Sequence, residues 1–126
     1  MGVCRFEDLR VWQAAKSQCD RVGGLMKRAE FRGDRVLSEQ MNAALSVMLN
    51  ISEGFLRRRD KETLQFLRYA FASNGALKAG YYAADGRAHI AAPETTELIN
   101  LNESIARMLR RWQANLETRT TRTTRS

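Results

Sequence analysis

Histidine is almost missing from this chain: His89 is the only one. With a single imidazole, placed in a predicted loop, neither a histidine-based metal site nor a Ser/His/Asp triad can be assembled from the usual parts. Cysteine is nearly as scarce. Cys4 and Cys19 have no Cys-x-x-Cys spacing and no histidine cluster nearby, so a reduced, cytoplasmic protein is the simple reading. A Gly-rich phosphate loop is absent. No stretch approaches the roughly 20 consecutive apolar residues that cross a bilayer, and the first residues lack the basic-then-apolar order of a signal peptide. No segment alternates apolar and polar residues as a half-buried strand does. These absences exclude the common catalytic constellations. No catalytic residue, cofactor or metal is expected, and the chain is not expected to be an enzyme.

What is present is helical spacing. Between Val36 and Arg57 apolar residues fall at 37, 41, 44, 48, 51 and 55, a seam that keeps one stripe of a helix against a partner. This helix is predicted to start after Gly33 with Asp34 as N-cap and to reach Arg57. An earlier helix starts near Glu7-Asp8, with Leu9, Trp12, Ala15, Cys19, Val22 and Met26 on one face. A third has Asp60 as N-cap and reaches Asp85. Its seam of Phe66, Ala70, Ser73, Leu77, Gly80 and Ala84 is mostly small, matched to bulky partners such as Trp12 and Trp112 or, as the less favoured reading, serving close helix approach. After the loop 86–93, which holds the only proline, Pro93-Glu94 opens a fourth helix with Leu98, Leu101, Ile105, Met108 and Trp112 in register. Four helices with short connections predict an all-α, antiparallel up-and-down four-helix bundle over residues 1–117. The remainder, 118–126, is Thr/Arg-rich without apolar groups and reads as a disordered basic tail.

The formal net charge is +7 across 126 residues. An arginine-biased excess favours an anionic partner, because guanidinium pairs with phosphate in a bidentate way. The candidate nucleic-acid-binding residues are Arg57, Arg58 and Arg59, then Arg107, Arg110 and Arg111, and in the tail Arg119, Arg122 and Arg125. The seam is also flanked by a polar set, Ser46, Asn50 and Glu53. Glu53 is either an i,i+4 partner of Arg57 or, as the preferred reading, part of a buried network that fixes bundle register or an oligomer contact.

The run Phe6-Glu7-Asp8-Leu9-Arg10-Val11-Trp12-Gln13-Ala14-Ala15 resembles the opening of the bacterial four-helix-bundle family of 23S rRNA intervening-sequence proteins. Ala43 to Gly54 resembles that family's signature Ala-Ala-x-Ser-[Ile/Val]-Pro-x-Asn-Ile-Ala-Glu-Gly, and Phe66-Leu67-Arg68-Tyr69-Ala70 with Ser73 and Leu77 resembles its third helix. The likeness spans residues 6 to about 116. Met48 stands where the family has proline, so the family's kink in this helix is expected to be absent. Asn42 stands where an arginine is usual, and Ala76 where a glutamate is usual. The resemblance implies a cytoplasmic protein that assembles into rings, commonly pentamers. It also implies a relation to basic accessory proteins of diversity-generating retroelements, which bind a reverse transcriptase and nucleic acid.

The first reading is therefore a homo-oligomeric accessory protein that holds phosphates with little sequence specificity. The alternative is a structural or protein-interaction scaffold whose charge is incidental. A membrane surface ranks third, since the arginines are spread over several elements rather than along one amphipathic face.

Overall fold

The computed structural model describes residues 2–125, with side chains through Arg122. Within that span the chain is all-α, and no strand occurs among the described residues. A 3-10 turn at Phe6–Asp8 leads into α1 (Arg10–Leu25), the short α2 (Ala29–Arg32), α3 (Arg35–Met41), α4 (Ala43–Leu56), α5 (Asp60–Gly86) and α6 (Ala92–Arg125). α5 packs along α4 and α6, and α1 closes against α4 and α6. Contact partners run in opposite senses: Gln18, Arg21 and Arg28 on and just beyond α1 meet Asn102, Glu97 and Glu94 on α6.

The helix ends follow from side-chain chemistry. Asp34 is the cap expected of it, accepting the Leu37 N–H at 3.2 Å. Asp60 is not a cap: it is the first residue of α5, and Arg59 holds the cap position without a side-chain bond. The Asp60 carboxylate instead receives Arg119 through two hydrogen bonds of 3.0 and 3.1 Å. At α6, Glu94 accepts the Ala91 N–H at 3.1 Å, one half of a capping box.

The helix expected over 34–57 is divided. At Asn42 the ladder tightens to three-residue bonds, Asn42 N–H to the Glu39 carbonyl and Leu45 N–H to the Asn42 carbonyl, at 3.2 and 3.0 Å. α4 then passes through Met48 unbroken. The break is accompanied by a close approach of α3 to α5, where Gly80 leaves room: a Cβ there would stand 2.9 Å from Met41 Sδ. Ser73 likewise meets Ser46, hydroxyl to hydroxyl at 2.9 Å. At these two positions small residues serve close approach, while Trp12 and Trp112 pack against the cluster that includes Ala70.

α6 runs from Ala92 to Arg125, past residue 117, after which the tail is expected to begin. Arg119 is tied to Asp60, and the Thr118 hydroxyl donates to the Ala114 carbonyl at 3.0 Å. Elongating a nucleated helix gains a bond per residue, so the Thr/Arg segment extends the turns before it.

The core is two apolar clusters with a polar layer between them. One cluster centres on Phe31, Met41, Leu77, Tyr81 and Leu98, the other on Ala15, Ile51, Leu67, Ile105 and Leu109. Between them lie Gln18, Asn74 and Asn102, each at most 1% exposed. Gln18 Nε2 donates to Asn74 Oδ1 at 3.1 Å, and Asn102 Nδ2 donates to Gln18 Oε1 at 3.1 Å. Asn74 and Asn102 also exchange side-chain-to-carbonyl bonds, both 3.0 Å. A buried amide left without a partner costs about 1–3 kcal/mol. Asn102→Ala removes a partner of both Gln18 and Asn74 and is expected to lower unfolding free energy by at least about that amount. Urea denaturation checks it, and an unchanged midpoint would remove this layer as a determinant of the fold.

Candidate nucleic-acid interface

The polar layer divides the charges unevenly. The half built from residues 2–17, 46–73 and 103–125 carries fourteen Lys and Arg against seven Asp and Glu. The other half, residues 19–45 and 75–101, carries seven against seven. The whole excess of +7 therefore belongs to the half that holds the start of α1, the α4–α5 turn and the end of α6.

Within that half the candidate arginines fall into two groups. Arg57 pairs with Glu53 at 3.0 Å and lies 4.6 Å over the Phe66 ring. Arg59 sits 3.9 Å from Glu62, and Arg119 is held by Asp60. The Arg119–Asp60 pair ties α6 to the α4–α5 turn, so the 57–59 run and the segment around Arg119, far apart in sequence, meet at one end of the protein. Arg58, Arg107 and Arg111 are exposed and have no ion-pair partner among the described residues. Arg110 is exposed with its guanidinium 5.2 Å over the Phe71 ring. Arg107, Arg111 and Arg122 are spaced by four and eleven, which puts them on one face of α6 over about 22 Å. The side chain of Arg125 lies outside the described residues.

Arg10, Lys61 and Arg68 were not among the sequence candidates, yet they are exposed in the same half without an ion-pair partner among the described residues. None belongs to a cluster of consecutive or periodic arginines. Only the folding of their helices around the amide layer brings them to the basic half.

The polar set of α4 separates. Asn50 Nδ2 donates to the Ser46 carbonyl and hydroxyl at 2.8 and 3.1 Å, and Ser46 reaches Ser73 across to α5. Glu53 takes no part in this half-buried chain. It is exposed and forms an i,i+4 pair with Arg57 worth a few tenths of a kcal/mol at about half exposure, so it belongs to no buried network within the chain. Buried polar bonding between helices is supplied instead by Gln18, Asn74 and Asn102. Trp12 adds a further cross-link, its indole N–H donating to Ser52 Oγ at 3.0 Å.

His89 is engaged elsewhere. Its Nε2 lies 2.9 Å from Asp34 Oδ2, and its ring meets Phe31 edge-on at 5.3 Å. Among the described residues no group of three or more His, Cys, Asp and Glu is placed to hold a metal ion. No helix among them is long and apolar enough to cross a membrane.

Residues 7–111 match the family model described as 23S rRNA-intervening sequence protein, which covers both apolar clusters up to Leu109 and the amide layer. No curated protein matches the chain.

The electrically balanced half closes on itself through cross-helix ion pairs, Arg21 with Glu97 and Arg28 with Glu94, each with a 3.0 Å hydrogen bond. The Arg28 guanidinium, helped by the Ala91 N–H, holds the Glu94 carboxyl down at about 2. A carboxylate with a depressed folded pKa adds stability above its unfolded value, about 4.3. That stability is lost as pH falls toward the folded value. Arg28→Gln is therefore expected to lower Tm at neutral pH, with the gap to the parent narrowing between pH 5 and 2. Thermal melts across that range check it, and a constant gap would mean that Arg28 acts through packing alone.

Proposed function

We propose that this chain, which belongs to the 23S rRNA-intervening sequence protein family, is a non-catalytic, homo-oligomeric protein that binds nucleic acid through arginine–phosphate contacts. The observation that carries the reading is the segregation of charge: the entire +7 excess lies in one half, where Arg58, Arg107 and Arg111 are exposed without an ion-pair partner among the described residues. Contacts of this kind attract phosphate without reading base edges, so binding has little sequence specificity. The family's description links it to ribosomal RNA, which favours RNA as the nucleic acid. A cytoplasmic setting is supported by the two free thiols, Cys4 and Cys19.

The helices are proposed to close as an up-and-down four-helix bundle, supported by the opposed running of their contact partners. Self-association is supported by α4. Leu45, Leu49 and Leu56 are 47%, 50% and 62% exposed. Their spacing of four and seven places them on one face. Such a stripe is a natural contact for a second copy, in a ring whose pentameric number rests on the family resemblance alone. Phe55 is only partly buried and does not extend the stripe; Tyr82, 56% exposed, lies on α5. The same stripe favours the second reading, a scaffold that presents this surface to a partner protein such as a reverse transcriptase.

Sedimentation is expected to show an oligomer at micromolar concentration; monomer alone would remove the ring. For binding, fluorescence anisotropy of labelled RNA and DNA at several salt concentrations is expected to show affinity falling steeply with salt, because phosphate neutralisation releases condensed counterions. Replacing Arg58, Arg107 and Arg111 by alanine should weaken binding uniformly across sequences and reduce the salt slope by about three. No binding to either nucleic acid at low salt would leave the scaffold reading in its place.

A further inference from the structure

The basic half also carries aromatic rings at its surface, on the edge where α5 meets α4. Tyr69 is 50% exposed. Its ring stands against Phe66 with centroids 6.1 Å apart and planes at 87°, so one aromatic group holds the other's orientation. The guanidinium of Arg57 covers Phe66 at 4.6 Å and is steadied by Glu53 at 3.0 Å. The resulting order is carboxylate, guanidinium, buttressing ring and open ring, all fixed by α4 and the first three turns of α5. Arg58, exposed and unpaired among the described residues, and Arg59, 84% exposed, belong to the same turn.

We infer that Tyr69 is a stacking platform for an unpaired base, and that the nucleic acid this protein prefers is single-stranded. The inference rests on the proposed phosphate binding and specifies its substrate. An exposed aromatic face with arginines around it is what sequence-tolerant single-strand binding uses, since every base has a π-face while the backbone is held by charge. A duplex offers no such face, because its bases are already stacked on one another. Pre-orientation of Tyr69 by Phe66 lowers the ordering cost of binding. The occupant follows from charge. A purely apolar partner chain would have to cover this ring beside the arginines of the 57–59 run and their unbalanced excess, whereas a single strand brings a phosphate with every base.

The test compares a 12-nucleotide single-stranded RNA with the corresponding duplex, using the full chain and its Tyr69→Ala and Tyr69→Phe variants. The readouts are anisotropy, fluorescence of 2-aminopurine placed in the single strand, and sedimentation. The parent is expected to prefer the single strand and to quench 2-aminopurine. Tyr69→Ala is expected to weaken single-strand binding about five- to hundredfold, to abolish the quenching, and to leave duplex affinity unchanged. Tyr69→Phe should keep all three properties. Equal parental affinity for both forms, or an equal loss on both in Tyr69→Ala, would overturn the stacking inference while leaving phosphate binding intact. A change of oligomer size in Tyr69→Ala would also overturn it and assign Tyr69 to a subunit contact. Failure of the parent to bind any nucleic acid would instead remove the underlying function.

Discussion

Three amides in the middle of the protein decide how its helices meet. Gln18, Asn74 and Asn102 come from α1, α5 and α6, and each depends on the other two for its hydrogen bonds. Apolar burial is non-directional, so leucines sliding past leucines would cost little. Amides are directional. A one-residue slip of any of these helices rotates its side chain by about 100° and strands the other two in a water-free interior. The two apolar clusters supply most of the driving force, and the layer between them sets the register in which that force is expressed.

The basic half is a consequence of that register. With α5 and α6 aligned through Asn74 and Asn102, the start of α5 reaches the end of α6, and Asp60 meets Arg119. With α4 held to α5 by Ser46–Ser73 and by the Thr63 hydroxyl donating to the Gly54 carbonyl at 2.8 Å, the 57–59 run is placed at the same end. Gly54 tightens this contact further, since a Cβ there would lie 3.2 Å from the Phe66 Cβ. Close helix approach and charge placement are thus one arrangement.

The sequence revealed the helical class, the Asp34 cap and part of the apolar seam of the second segment: 37, 41, 44 and 51 are buried, whereas 48 and 55 are half-buried and their neighbours Val47 and Gly54 face inward. It concealed the amide layer by one residue on each helix, backward on α1 and forward on α5 and α6. The apolar pattern pointed to Cys19, Ser73 and Leu101, whereas the residues facing inward are their neighbours Gln18, Asn74 and Asn102. A seam chosen for hydrophobicity steps around a polar residue, and only the meeting of three helices shows that these amides satisfy one another. The arginine clusters were visible as a composition and as runs, but their gathering into one half was not. It depends on contacts between residues more than fifty positions apart, such as Asp60 with Arg119. The buried role considered for Glu53 rested on its position near the seam, and one step of about 100° is enough to turn it to solvent beside Arg57.

Concentrating seven excess charges in half of a small protein has a physical consequence for its proposed assembly. Charges within a Debye length, about 10 Å at 0.1 M salt, repel one another. The pairs Arg57–Glu53, Arg59–Glu62 and Arg119–Asp60 neutralise charge where helix ends converge. Arg10, Arg58, Lys61, Arg68, Arg107 and Arg111, without ion-pair partners among the described residues, are exposed to water and screened there. If copies associate through the leucine stripe of α4, apolar burial must offset repulsion between their basic halves. A polyanion relieves that repulsion, and a ligand that binds the assembled form stabilises it by mass action. Under the proposed function, phosphate binding and self-association therefore reinforce each other, whereas salt acts on them in opposite directions: it weakens the first by counterion competition and eases the second by screening.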